Sequence, residues 1–385
     1  IHGYFAMPIL AGGKLIGRVD PGRDGGALVA RQISLFDVRH APQAASALRE
    51  AATELDRAAW DEMIKAGWLS ALVAEKDDGL GLGLFDLALA LEETGKQIVM
   101  TPLVEAASAI WAIMNATDAA HPARARIASK LVVPATTLPG QRFDHSAAPA
   151  LDAKASALSG AVSFVPFAAS SDLFLVDARA GGETVLCLVP RDAAGLSIAT
   201  ASNVDGSTST ELTFSRVAVP PEDILARGDK AAAIVSEMQE LLILGTAAEL
   251  LGVAQAALDM TVGYTKLREQ FGKLIGSFQA LQHRMVDCYV DVELNRSLLF
   301  KVLSAWDDDT SHPAMVPAVK ARLSKAALKT VRAALQLHGA IGYTEEHDIG
   351  VYYKRAVALA AKYGNEITHV GRFSHLTLPA QQAAG

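Results

Sequence analysis

The sequence has little that could staple or ligate. Its two cysteines, Cys187 and Cys288, lack the paired spacing of a disulfide framework, a zinc site or a redox motif. Both read as reduced, buried, small hydrophobes, and no metal site is expected. Excess positive charge is also missing. The 35 Lys and Arg against 42 Asp and Glu leave a net charge of −7, which argues against a nucleic-acid binder with a dominant basic face. There is no basic start followed by a long apolar run, as in a signal peptide. The apolar stretch at 241–251 carries Glu249 and is too short to span a bilayer. A cytoplasmic protein with no membrane or nucleic-acid partner is therefore expected. The chain opens on Ile1 rather than methionine, so its N-terminus is expected to be missing or altered. Aromatics make up only 6%, whereas 51% of residues are hydrophobic and 20% charged. That balance excludes a disordered chain and points to an Ala- and Leu-rich core of packed helices. At roughly 150 residues per domain, the length suggests about two or three domains.

Proline is scarce where helices would need it to be. Of 15 prolines, nine fall between Pro102 and Pro221; none lies between Pro221 and Pro313, or between Pro317 and Pro379. Interior proline costs a helix about 3 kcal/mol, so the final third reads as a helical bundle. Apolar residues recur there at helical spacing over 236–266, 279–306, 313–338 and 345–373, with loops at 308–313 and 339–342. Helices are also expected over 43–70 and 85–99, with Leu55, Trp60, Met63 and Ile64 sharing a face. Between 131 and 226 the pattern changes to short apolar or β-branched runs: Leu173-Phe174-Leu175-Val176, 184–189 and Glu211-Leu212-Thr213-Phe214. These read as an antiparallel sheet. Three further strands are expected before residue 32, separated by Gly12-Gly13 and Gly25-Gly26. Helices, then strands, then helices argue against alternating βαβ units.

Gly79-Leu80-Gly81-Leu82-Gly83 invites a phosphate-binding reading. A cradle of that kind needs a hydrophobic strand before it and a helix N-terminus behind it. Here Glu75-Lys76-Asp77-Asp78 precedes it, so a turn into a helix near Phe85 is expected. More informative is Arg268-Glu269-Gln270-Phe271-Gly272 through Phe278-Gln279, which breaks the run between two helices. It gathers a permanent cation, an aromatic, a glycine and an amide, and arginine suits bidentate phosphate contacts. A second break, Gln336-Leu337-His338-Gly339-Ala340-Ile341-Gly342-Tyr343, has glycines that admit close backbone approach. Taken singly, each also fits a plain inter-helix turn.

Together these two segments resemble the acyl-CoA dehydrogenase family. The likeness runs from about Leu55 to Phe373 and includes 60–68, Leu91-Glu92-Glu93-Thr94-Gly95, 188–192 and 214–220. It implies a mainly α fold with a β-barrel middle domain: an N-terminal helical domain over 51–128, the barrel over 129–228, and a four-helix bundle over 229–378. It also implies an FAD-dependent oxidoreductase of the fatty-acid β-oxidation type. A carboxylate takes the α-proton of an acyl-CoA, hydride passes from the β-carbon to FAD, and an electron-transfer flavoprotein takes the electrons. The resemblance assigns Arg268 to the FAD pyrophosphate, Phe271 and Gln279 to nearby FAD contacts, and Gln336, Gly339 and Ala340 to the adenosine part. In the family these groups reach the flavin of a neighbouring subunit, so an oligomer is implied.

Other positions depart from the family pattern. The catalytic base of Tyr-Glu-Gly becomes Tyr363-Gly364-Asn365, which puts Gly364 at the base position. A second subgroup's glutamate position is Leu242. The flavin-facing Trp-x-Thr becomes Phe164-Val165-Pro166, and Pro166 has no N–H or hydroxyl to offer. The Thr-Glu-Pro-Gly loop becomes Thr137-Leu138-Pro139-Gly140. Groups serving the chain's own flavin and substrate are lost, whereas groups lent across an interface are kept. The expectation is a small supporting subunit of a heteromeric dehydrogenase with a second acyl-CoA dehydrogenase chain; the tail from Tyr363 to Glu366, with His369 and Arg372, is similar to such subunits. The alternatives are a self-sufficient homo-oligomer with a displaced base, for which Glu240, Glu249 and Glu366 are the candidate acids, and a non-catalytic flavin- or CoA-binding partner protein. Residues 1–50 are expected to fall outside the family as an atypical β-rich segment. They partly resemble the tail of a winged-helix DNA-glycosylase-like family.

Overall fold

Proline-free length becomes helix length in the fold. The computed structural model describes residues 7–11, 14–24, 27–35, 55, 57–127, 130–136, 148–152, 156–308, 310, 312–344 and 347–378. Strands β1 (Met7–Ala11), β2 (Lys14–Asp24) and β3 (Ala27–Leu35) form an antiparallel three-stranded sheet, where three strands were expected. Helices α1 (Arg57–Lys65), α2 (Leu84–Lys96), α3 (Leu103–Ala116) and α4 (Pro122–Ile127) follow. The middle unit holds β4 (Val132–Ala135), β5 (Ala150–Asp152), β6 (Ala157–Val165), β7 (Leu173–Ala180), β8 (Glu183–Pro190), β9 (Leu196–Ser202), β10 (Thr208–Ala218) and β11 (Ile224–Arg227). The C-terminal unit holds α5 (Gly228–Thr265), the hairpin β12 (Glu269–Gln270) and β13 (Lys273–Leu274), and then α6 (Gln279–Asp307), α7 (Met315–His338), α8 (Ile349–Ala361) and α9 (Glu366–Thr377).

Several expectations change in detail. The run at 345–373 is two helices, because Tyr363 and Gly364 take left-handed backbone angles (φ 56° and 101°) between them. Helix α3 lies inside the helical domain expected over 51–128, although residue spacing had not singled it out; Pro102 stands at its N-cap, where a missing N–H costs nothing. Ile64 is 44% exposed, while Leu55 and Trp60 are buried. The stretch 43–54 lies outside the described residues, as does 137–140. In the eight-stranded sheet the path runs β11-β8-β7-β5-β6-β10-β9, with β4 beside β7. It is mostly antiparallel, but β4 and β5 run parallel to β7.

Side-chain alternation in β7 and β8 seats the sheet on the helices. Leu173, Leu175, Leu186 and Leu188 join the helical core. Phe174, Val176, Val185, Cys187 and Val189 fill the other side, with Leu55 and Trp60. Burial on both faces is why these strands read as continuous apolar runs. The same burial pushes the Cys187 thiol up to about 12. Helix α5 is long and apolar enough to cross a membrane by length and composition, and 89% of its most apolar window is buried inside the fold. Its backbone touches that of α2: a Cβ on Gly252 would stand 1.9 Å from the Glu92 carbonyl oxygen, and one on Gly95 2.0 Å from that of Glu249. Only glycine permits such a crossing.

The glycine cluster at 79–83 is the expected turn. The N-terminus of α2 behind it is taken by an acid from far along the chain. The Asp307 Oδ1 accepts from the Leu84 N–H at 2.8 Å and its Oδ2 from the Phe85 N–H at 3.0 Å. A carboxylate there satisfies two orphan amides and meets the helix dipole. Replacing Asp307 by Ala is expected to cost about 1–2 kcal/mol. In urea titration the midpoint falls with an unchanged slope, and Asp307→Asn retains most of the loss.

Candidate functional site

A cleft of about 1130 Å³ opens between the sheet and the last two helices. One wall is the end of β6, where Phe164 and Pro166 face the cavity together with Ser207 and Ser209 of the β9–β10 hairpin. The other wall carries the 362–365 segment, Arg372 and His375. Gly364, at the position where the resemblance places the base, thus lies at the cleft. Its backbone is left-handed, and a Cβ there would stand 2.7 Å from the His369 Nε2, so the local fold is built for a residue with no side chain. Among the described residues lining the cleft none is Asp or Glu.

The acids stand behind the wall, each committed to a cation or a donor. Arg355 of α8 is 4% exposed. Its guanidinium donates from Nε to the Glu249 Oε1 at 3.1 Å and from Nη1 to the Asp205 Oδ2 at 2.8 Å, and Nη2 also reaches Glu249. The two carboxylates keep this arginine charged despite its burial. Glu105 of α3 is fully buried. Its Oε1 accepts from the Lys362 ammonium at 2.6 Å and from the Tyr363 hydroxyl at 2.9 Å. Burial and the Glu105 charge hold the Tyr363 pKa well above its ordinary value. Lys320, also fully buried, donates to the Leu359 carbonyl at 2.6 Å, and burial lowers its pKa to about 7. The His369 Nε2 lies 2.9 Å from the Tyr363 carbonyl oxygen, and burial lowers its pKa to about 3.

The expected substitute acids do not assemble into a base. Glu249 is spent on Arg355. Glu240 lies 4.0 Å from Arg372, with its pKa raised by burial, and does not line the cleft. Glu366 sits on the surface beside Lys325 at 3.6 Å, and Leu242 is in the core. Arg355, Asp205, Glu105 and Lys320 were not singled out from the sequence. The signal was there for three of them, as single charges at positions where helical periodicity calls for an apolar residue.

The residues assigned to a neighbour's cofactor form a separate surface. Arg268, Phe271, Gln279, Gln336, Gly339 and Ala340 are all exposed, and none of them lines the cleft. Arg268 leads into the β12–β13 hairpin, whose tip is Phe271-Gly272, both at positive φ. Phe271 is 90% exposed. Gln336 ends α7 beside the 339–343 turn. The two segments meet where the Tyr264 ring stacks on His338, with centroids 4.4 Å apart and planes at 26°.

The family models for the acyl-CoA dehydrogenase N-terminal domain and the acyl-CoA dehydrogenase C-terminal domain match residues 29–125 and 244–370. The chain is 30% identical over 347 residues to the acyl-CoA dehydrogenase IpdE2 of Mycolicibacterium smegmatis, covering 88% of this chain and 94% of that one. It belongs to the acyl-CoA dehydrogenase family. It is also 29% identical to a benzylmalonyl-CoA dehydrogenase of Aromatoleum aromaticum, over 83% and 88% of the two chains. Among solved structures it is similar to a Tcur3481–Tcur3483 steroid ACAD variant, with a TM-score of 0.74, 28% identity, and coverage of 87% and 91%. As an acyl-CoA dehydrogenase it is a flavoprotein-type oxidoreductase, with the helix–sheet–helix fold of that family. The N-terminal match begins at residue 29, inside the stretch expected to lie outside the family.

Members of this family use FAD, and the two surfaces fit that group differently. The outer face offers an open guanidinium, exposed amides, and Gly339, around which nothing would meet a Cβ within 4 Å; that leaves room for a diphosphate. In the cleft, Pro166 has no donor for a flavin ring, and Phe164 turns its ring into the space at 52% exposure.

Two measurements check the buried network. Arg355→Met leaves Glu249 and Asp205 without their cation, and is expected to cost about 3–5 kcal/mol in denaturant unfolding. The depressed His369 pKa means that the unfolded chain takes up a proton before the folded one does. Stability is therefore fully present above about pH 6.5 and is lost as pH falls toward 3. His369→Gln should flatten that acid-side slope of unfolding free energy by up to one proton.

Proposed function

We propose that this chain is the supporting subunit of a heteromeric, FAD-dependent acyl-CoA dehydrogenase, acting in the cytoplasm with an electron-transfer flavoprotein as acceptor. The observation that carries the reading is the cleft with no carboxylate in its described lining. Removing an α-proton from a thioester needs a base within hydrogen-bond reach of that proton. The described acids nearest to hand are locked to Arg355, Lys362 and Tyr363. A side chain at Gly364 would press on His369 and strain a left-handed backbone. In this reading a partner chain supplies the base and holds most of the cofactor.

What this chain contributes is its outer face. Arg268 would neutralise the FAD pyrophosphate by charge-assisted hydrogen bonds. Phe271 and Gln279 would lie against the cofactor nearby, and Gln336, Gly339 and Ala340 would border its adenosine. FAD, when bound, accepts the hydride that leaves the acyl β-carbon. The substrate class we propose is a bulky acyl-CoA, in keeping with relatives named for steroid and benzylmalonyl substrates. A similar solved dehydrogenase bears the names of two chains, which favours a two-chain enzyme.

The purified chain alone is expected to oxidise no acyl-CoA and to retain little FAD. Purified with its partner, it should show both. Within that complex Arg268→Ala should raise the FAD dissociation constant about 10- to 100-fold, the range for losing a charged hydrogen-bonding partner. Stoichiometric FAD and turnover in the isolated chain would overturn the proposal.

A further inference from the structure

We infer that Tyr264 and His338 are positioning residues that hold the two cofactor-lending segments as one clamp. The inference rests on the proposed role of Arg268 and Gln336, and adds how segments far apart in sequence are kept in register.

The geometry runs from one helix end to the other. Tyr264 lies in the last turn of α5, and its carbonyl accepts from the Leu267 N–H at 3.0 Å and the Arg268 N–H at 2.9 Å. The Arg268 carbonyl in turn accepts from the Ile275 N–H at 2.8 Å, which closes the hairpin that follows. The backbone of Tyr264 therefore fixes the start of the first lending segment. Its ring does the corresponding work for the second. It stacks on His338, the last residue of α7, which is 3% exposed. Gln336 lies in the same last turn, and Gly339 and Ala340 follow His338 directly.

His338 is itself pinned. Its Nδ1 lies 2.8 Å from the Ala334 carbonyl oxygen, so Nδ1 carries the proton and donates. Burial lowers its pKa, which favours the neutral imidazole in the stack. His347 closes the third side: its ring centroid is 4.4 Å from that of His338 and 5.8 Å from that of Tyr264. Its Nδ1 accepts from the Ile349 N–H at 3.2 Å, at the start of α8. Three rings from three helix ends thus meet at the junction of the two segments. A long guanidinium and an amide on separate turns would otherwise each pay their own ordering entropy on binding. Loss of the stacked pair should weaken cofactor retention by roughly threefold to tenfold.

Two readouts test this. In the chain alone, hydrogen exchange of the 266–276 segment should speed up in His338→Leu, although that substitution lies in the other segment; the aromatic replacement His338→Phe should restore slow exchange. In the complex purified with its partner, Tyr264→Leu should raise the FAD dissociation constant about threefold to tenfold, and Tyr264→Phe should leave it unchanged. Added to Arg268→Ala, Tyr264→Leu should cost little more, because both act through one contact. Unchanged exchange in His338→Leu, or fully additive effects of Tyr264→Leu and Arg268→Ala, would overturn the inference. No effect of Arg268→Ala by itself, with the exchange result as expected, would overturn the lending role while leaving the ring contact standing.

Discussion

A buried arginine organises this molecule. Arg355 sits on α8, faces the cleft, and binds Glu249 of α5 on one side and Asp205 of the β9–β10 hairpin on the other. Taking a guanidinium and two carboxylates out of water is expensive, and the arrangement persists only because every charge is matched at close range. That matching ties the sheet to the helices. It also anchors Glu249 at the point where α5 and α2 touch backbone to backbone, since the Glu249 carbonyl lies against Gly95. Glu249, one of the three acids offered as a displaced base, is thereby held in an ion pair behind the cleft wall.

The same logic governs the rest of the cleft wall. Glu105 is held by Lys362 and Tyr363. The His369 Nε2 donates to the Tyr363 carbonyl and crowds Gly364. Lys320 caps the last carbonyls of α8. The segment that would carry a catalytic carboxylate is instead fastened from three sides around a glycine. Outside the cleft the situation is reversed: Arg268, Phe271 and Gln336 are exposed on a closed hairpin and a helix end. The proposed supporting role draws on that contrast: one site is fixed in place and the other exposed.

Much of this was legible before the structure. Proline spacing located the long helices, and the continuous apolar runs located β7 and β8. The two motifs around Arg268 and Gly339 pointed to one family and to one outward-facing surface. What escaped reading depended on contacts between residues distant in sequence. Nothing near Asp307 says that it caps α2, and nothing near Asp205 says that it meets Arg355. The break between α8 and α9 was hidden because apolar spacing continues through Tyr363; the left-handed turn that interrupts it is a backbone property. Ile64 shared a helical face by spacing, but α1 is too short and too near the surface to bury all of it.

The central claim is that this chain lends groups to a cofactor it does not itself process. Native mass spectrometry of the intact assembly, purified through this chain, tests it most directly by counting subunits and FAD together. The account predicts a second, different acyl-CoA dehydrogenase chain in equal amount, and half as many FAD molecules as chains. An assembly of this chain alone carrying one FAD per subunit would contradict it.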